Sequence, residues 1–220
     1  MSSHGMSRNG MTEAETRDQM VELAASLFAR GYSVGSAGNI SVRLPDGYLI
    51  TPTNSCLGRL DPARLSRLDH RFSHLSGDKP SKEVFMHRAF YEARPRAGAV
   101  VHLHSTMATA VACLADVDPE NPILPLTPYF VMRVGQRLPV VPYYRPGDPA
   151  MGPAIAAQAA TARAVLLANH GPVVSGRSLR DAVYAAEELE EAAKLFLLLR
   201  AAGPRILDAA QVQELLGMPE

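Results

Sequence analysis

Ala97-Gly98-Ala99-Val100-Val101-His102-Leu103-His104 is a run of small and β-branched residues that stops at a polar pair, and Thr106 to Leu114 directly after it is apolar at helical spacing. The first segment reads as a strand and the second as a short helix, the unit from which a helix-covered sheet is built. Side chains alternate between the faces of a strand. Val101 and Leu103 therefore enter the core, and His102 and His104 share the opposite face, one pleat repeat apart. Two imidazoles at that spacing reach one metal ion. Ordinary histidines on a half-buried strand are the competing reading of these two residues.

Working outward, Thr12 and Glu15 form a capping box ahead of Met20, Val21, Ala24, Leu27 and Phe28, and Gly31 suits a helix end, so a helix is predicted over 13–30. A Gly/Ser turn over 35–39 follows. Strands 40–44 and 48–51 flank Pro45-Asp46-Gly47 as a hairpin. Residues 52–57 read as loop, Asp61-Pro62 opens a helical turn, and 71–77 reads as another strand or hairpin. Asp78-Lys79-Pro80-Ser81 opens a helix running to Ala93, with Pro95 marking its end.

Downstream, the Pro-rich section 119–149 reads as irregular, with a short strand over 138–141. A helix is predicted over 153–160, and an apolar strand over 164–168 ends in Asn169-His170-Gly171-Pro172. The last long helix spans 178–200. Its acidic face, Glu187 to Glu191, reads as solvated or at an interface, and a small helical tail follows Pro204. Strands alternate with helices but hairpins also occur, which predicts a mixed sheet with helices on both faces. One domain over 12–220 is expected, preceded by a polar, Gly/Ser-rich extension over 1–11 expected to be disordered.

The 22 basic residues balance the 22 acidic ones. Bulk charge thus gives no reason to expect a nucleic-acid or membrane surface, and an anionic substrate has to be met by a local site. No apolar run reaches membrane-spanning length. Cys56 and Cys113 lie far apart and outside any CxxC pair, so a disulfide framework is not expected and a reducing cytoplasm is the natural setting.

His170 lies just past the C-terminal end of the strand over 164–168, where sites of open α/β sheets gather. With His102 and His104 it completes a three-histidine set of the catalytic zinc type, which leaves one position for substrate. Glu83, in the first turn predicted after Pro80-Ser81-Lys82, is a candidate ligand or general base. A helix-start carboxylate that complements the macrodipole is the alternative. Ser81 and Lys82 at the same helix start suit a phosphate. The small-polar loops containing Ser36 and Asn39, and Thr53 and Asn54, offer further N–H groups and hydroxyls.

Taken in order, Gly38-Asn39-Ile40-Ser41, Ile50-Thr51-Pro52-Thr53, Ser81-Lys82-Glu83, His102-Leu103-His104 and Asn169-His170-Gly171 resemble the class II aldolase/adducin family over about residues 15 to 200. The resemblance implies a three-layer α/β/α fold and a homotetramer with sites near subunit interfaces. It implies zinc held by His102, His104 and His170, with Mn2+ or Co2+ accepted by the same donors. Glu83 is implied to approach the metal and to swing away as acid/base. Phosphate is implied near Asn39, Thr53, Asn54, Ser81 and Lys82, and Tyr129 is implied to be a proton-transfer residue reaching in from a neighbour.

Aldolases and epimerases of the family usually carry two small hydroxyl residues before the acid, whereas this chain has Lys82 in the second place. The Ser81-Lys82-Glu83 run, with Thr51 to Pro62, Leu126 to Tyr129 and Tyr143 to Asp148, resembles the branch that decarboxylates 3-oxo-tetronate 4-phosphates. The reaction this implies gives dihydroxyacetone phosphate and CO2 through a metal-stabilised enediolate. A ketose-phosphate aldolase of the L-fuculose 1-phosphate type, or an epimerase, is the alternative. A non-catalytic adducin-like binding module is a distant third, disfavoured because every candidate ligand is present.

Overall fold

The computed structural model describes residues 10–218; the extension expected over 1–11 lies mostly outside them. Thr12 starts the first helix as its sequence requires. Its hydroxyl accepts from the Glu15 amide, and the Glu15 carboxylate accepts from the Thr12 amide at 2.7 Å. Helix α1 then spans Glu13–Ala29. The predicted hairpin forms from β1, Asn39–Leu44, and β2, Gly47–Ile50. Two 3-10 turns, Leu57–Arg59 and Pro62–Arg64, lead to β3, Ser66–Leu68, and β4, His74–Ser76. After α2, Val84–Ala93, and β5, Ala99–His102, come α3, Thr106–Ala112, and α4, Pro128–Arg133. The rest comprises β6, Val140–Val141; α5, Met151–Ala159; β7, Ala164–Leu167; β8, Gly171–Gly176; α6, Leu179–Leu199; and α7, Ala209–Leu216.

The eight strands form one sheet in the order β4-β3-β2-β1-β5-β8-β7-β6. Its pairings are antiparallel except β6 with β7, so the sheet is mixed. The side-chain alternation of β1 and β5 divides the molecule into layers. Ile40, Val42, Ala99, Val101 and Leu103 pack with Met20, Leu27, Val111 and Leu189 on one side. Val100 joins Met86, Phe90, Ile155 and Val165 on the other, under α2 and α5. This is the expected three-layer α/β/α arrangement. Truncating a core side chain such as the fully buried Phe90 would cost roughly 3–5 kcal/mol.

The edges of the sheet are short. Strand β4 has three exposed residues and meets β3 with a shift in register. Strand β6 has two residues between Pro139 and Pro142, and the Val140 amide donates to the Pro119 carbonyl rather than to a strand.

Several elements differ from the sequence expectation. Residues 80–83 are not helical. Pro80 bridges to Pro52 and the Ser81 amide donates to the Thr51 carbonyl, which holds Pro80 and Ser81 against the β1–β2 end, and a turn over 82–83 follows. Helix α2 therefore starts at Val84, and Glu83 is its N-cap. Strand β8 lies in the middle of the sheet, where a turn after His170 was expected to lead straight to the last helix. Strand β3 and helix α4 also exceed the prediction, the latter starting at Pro128 behind a Thr127 cap. Glu190 is buried rather than solvated. Its carboxylate accepts from the Met107 and Ala108 amides at 2.7 and 2.8 Å, capping α3 from across the core.

Candidate metal centre

Three segments far apart in sequence meet at one end of the sheet. His102 is the last residue of β5, and His104 lies two residues beyond it. His170 lies in the loop joining β7 to β8, beside Asn169, whose φ of 58° turns the chain. Gly171 completes that turn at φ 153°. A Cβ there would sit 2.3 Å from the Leu103 carbonyl oxygen, so the loop approaches the histidine strand as only glycine permits.

The Nε2 atom of His104 lies 3.1 Å from that of His102 and 3.1 Å from that of His170. The Nδ1–H of His102 donates to the Pro172 carbonyl at 2.9 Å, which leaves its Nε2 lone pair facing the other two rings. Around a tetrahedral zinc, with Zn–N near 2.0–2.1 Å, nitrogens lie about 3.3–3.4 Å apart. The donor set therefore fits such an ion. The backbone carbonyl behind His102 is the kind of partner that fixes a ligating tautomer.

Glu83 closes the group. Its Oε2 is 3.6 Å from His102 Nε2 and its Oε1 is 3.5 Å from His170 Nε2. The Asn39 amide donates to Oε2 at 2.6 Å. Burial pushes the Glu83 carboxyl up, but the bond to His170, the nearby His102 and the Asn39 donor outweigh it and hold the group well below the usual carboxylate range. Burial takes His102 down to about 3 and lowers His104, where the neighbouring His170 adds to the effect. A neutral His102 and an ionised Glu83 are states that suit a divalent cation.

Beside these groups lies a cavity of about 330 Å³. Ser36, Asn39, Thr53, Asn54, Ser81 and Lys82, the six residues singled out for phosphate, all line it, as do Glu83 and His104. Its size suits a small ligand. Pro146 and Gly147 also line it; the sequence reading gave them no place in the site. Tyr129 does not line it, and its side chain is 61% exposed on α4. Behind Asn39, hydrogen bonds run to His87, Ser41 and Tyr91, three buried residues that the sequence reading passed over. The period that could have found His87 and Tyr91 is Glu83, His87, Tyr91, spaced four apart on one helix face.

The profile of the class II aldolase and adducin N-terminal domain matches residues 18–197. The chain belongs to the class II aldolase/adducin family. Among its relatives in this family, the 3-oxo-tetronate 4-phosphate decarboxylase of Escherichia coli K12 is 54% identical over 96% of this chain and 99% of its own. The L-fuculose phosphate aldolase of the same strain is 33% identical over 81% of each chain. The crystal structure of YgbL from Klebsiella pneumoniae superposes with a TM-score of 0.90 at 54% identity, covering 94% of this chain and 100% of that one. Metal dependence goes with the family, and the three histidines form a cluster able to hold an ion. No helix among the described residues is long and apolar enough to cross a membrane.

Proposed function

We propose that this chain is a carbon–carbon lyase that decarboxylates 3-oxo-tetronate 4-phosphate to dihydroxyacetone phosphate and CO2. The observation that carries this reading is the 54% identity to a decarboxylase along essentially the whole of both chains, against 33% to the aldolase. Lys82 supports it, since this residue departs from the paired hydroxyls usual in the aldolase branch.

In the reaction the C1–C2 bond of the substrate breaks, its electron pair stays on the C2–C3 unit, CO2 leaves, and a proton is added at C2. A divalent metal held by His102, His104 and His170 supplies Lewis-acid stabilisation of the negative charge that develops on the substrate oxygens. Ser36, Asn39, Thr53, Asn54 and Ser81 offer hydroxyl and amide groups to the phosphate. Lys82 offers a cation to the phosphate or to the departing carboxylate. Glu83 stands within reach of the ligand nitrogens; ionised at rest, it takes up a proton from water before passing it to C2. Tyr129, exposed on its own subunit, is the second candidate donor when supplied by a neighbouring copy.

The ion is zinc, for which three imidazoles and an open position form a familiar catalytic set. Mn2+ and Co2+ are the substitutes these donors accept. Residues 12–220 act as one catalytic domain, assembled as a homotetramer in the cytoplasm. The exposed Tyr129 supports the assembly, and the two free cysteines support the compartment.

The test supplies zinc-loaded protein with 3-oxo-tetronate 4-phosphate made in situ by a kinase, following dihydroxyacetone phosphate with a coupled reductase and CO2 separately. Equimolar products abolished by chelator are expected. Silence there, with cleavage of L-fuculose 1-phosphate, would move the chain to the aldolase branch.

A further inference from the structure

We infer that His87 is a positioning residue of the metal centre, which fixes the side-chain amide of Asn39 so that its NH2 group, and not its oxygen, faces Glu83. The inference rests on the metal-site reading above.

The geometry comes from matched repeats. Asn39 and Ser41 are two apart on β1 and point to the face covered by α2. Glu83, His87 and Tyr91 are four apart at the start of and along α2. Two residues of strand advance about 6.6–6.8 Å and four of helix about 6 Å, so the two rows stay in step. The result is one continuous chain: Tyr91 Oη to Ser41 Oγ at 2.9 Å, Ser41 Oγ to His87 Nδ1 at 2.7 Å, His87 Nε2 to Asn39 Oδ1, and Asn39 Nδ2 to Glu83 Oε2 at 2.6 Å. Asn39, Ser41, His87 and Tyr91 are all buried, and His87 is fully so. Asn39 is also the cross-strand partner of His102, which places it directly beside the metal ligands.

The direction of the chain follows from its ends. The Asn39 NH2 donates to the Glu83 carboxylate, and its oxygen faces His87 Nε2. His87 must then carry its proton on Nε2, which leaves Nδ1 to accept from the Ser41 hydroxyl. Ser41 has a single proton, spent on His87, so it accepts from the Tyr91 phenol, which has one to give. The protons of His87 Nε2, Ser41 and Tyr91 are each used once. With the opposite polarity the Asn39 oxygen would face the carboxylate oxygen at hydrogen-bond distance, two acceptors with no proton between them. A doubly protonated His87 would place an imidazolium in a site without contact to water, which burial opposes. Asparagine alone can flip its amide at little cost; Tyr91, Ser41 and His87 remove that freedom. Glu83 is thereby held where it meets His102 and His170 before any ligand arrives.

Two measurements test this, and neither needs substrate, so a failure of the decarboxylase assay leaves them readable. In 15N-labelled, zinc-loaded wild-type protein, the long-range NMR correlations of the His87 ring should show a protonated Nε2 and a bare Nδ1. A proton on Nδ1, or on both nitrogens, would overturn the inference. Zinc affinity, read by competition with a chelator, should weaken roughly 10–100-fold in His87→Phe, the range typical of lost outer-shell partners. His87→Gln, which can still donate to Asn39, should recover most of it. A His87→Phe protein that binds zinc as tightly as wild type would refute the inference. If that variant fails to fold, the tautomer of the wild-type ring decides alone.

Discussion

With its Nε2 3.1 Å from that of His102 and 3.1 Å from that of His170, His104 sets lone pair against lone pair unless a shared proton or a cation lies among them. Substituting His102, His104 or His170 by alanine should therefore lower bound metal well below one ion per chain, as measured by elemental analysis after dialysis. Glu83→Gln should keep the fold and reduce kcat by about 10²–10⁴-fold, the usual worth of a positioned acid/base; full turnover would remove Glu83 from the proton-transfer role. The histidines were legible in the sequence because two lie at strand spacing and the third follows an apolar strand. Asn39, Ser36, Thr53, Asn54, Ser81 and Lys82 were legible as small-polar loops and through the family pattern. The bond from His87 to Asn39 was not. It joins positions 48 apart, and no local period reports a contact between a strand and a helix.

At the scale of elements, α3 begins two residues after His104, and its first amides are held by Glu190 of α6. Glu190→Ala would leave two N–H groups without their acceptor, one of them buried. It should destabilise the protein by roughly 1–3 kcal/mol per unsatisfied group, measured by urea unfolding. An unchanged midpoint would show that water replaces the cap. Gly171→Ala should be folded but bind zinc more weakly, because its Cβ has to push the His170 loop from the Leu103 carbonyl. Equal zinc affinity would mean that the loop yields elsewhere. The acidic run 187–191 looked solvated because charge dominates its composition, yet Glu190 points inward on a helix whose other faces are wet. Strand β8 escaped because Gly171-Pro172 reads as a turn. Those two residues do start a strand, where the missing Cβ lets the chain pass close to the Leu103 carbonyl. Helix α4 escaped because prolines dominate its surroundings, and a proline is compatible with a first helical turn.

For the molecule as a whole, buried neutral histidines make stability depend on pH. His87 is held at about 4 and His102 at about 3, both by burial, against 6.5 in an exposed histidine. Between those limits the unfolded chain binds protons that the folded chain refuses, so stability rises with pH in this window and is lost as pH falls through it. Glu83, held low, adds a loss below its ordinary value of 4.5. The chelator-treated protein should thus lose stability from about pH 6.5 down to pH 4, on the order of 3 kcal/mol from His87 alone, as read from denaturation midpoints at a series of pH values. A flat profile would mean that these rings take up protons without unfolding.

The edges of the sheet bear on a different hazard. An open eight-stranded sheet has two rims, and unpaired N–H and C=O groups along a rim invite strands of other molecules to add on, the first step toward aggregates. Here one rim is three residues long and out of register with its neighbour. The other is two residues bracketed by prolines, which lack the N–H, and its Val140 amide is already taken by Pro119. Neither rim offers a ladder long enough to template a foreign strand, so the chain should remain dispersed when concentrated.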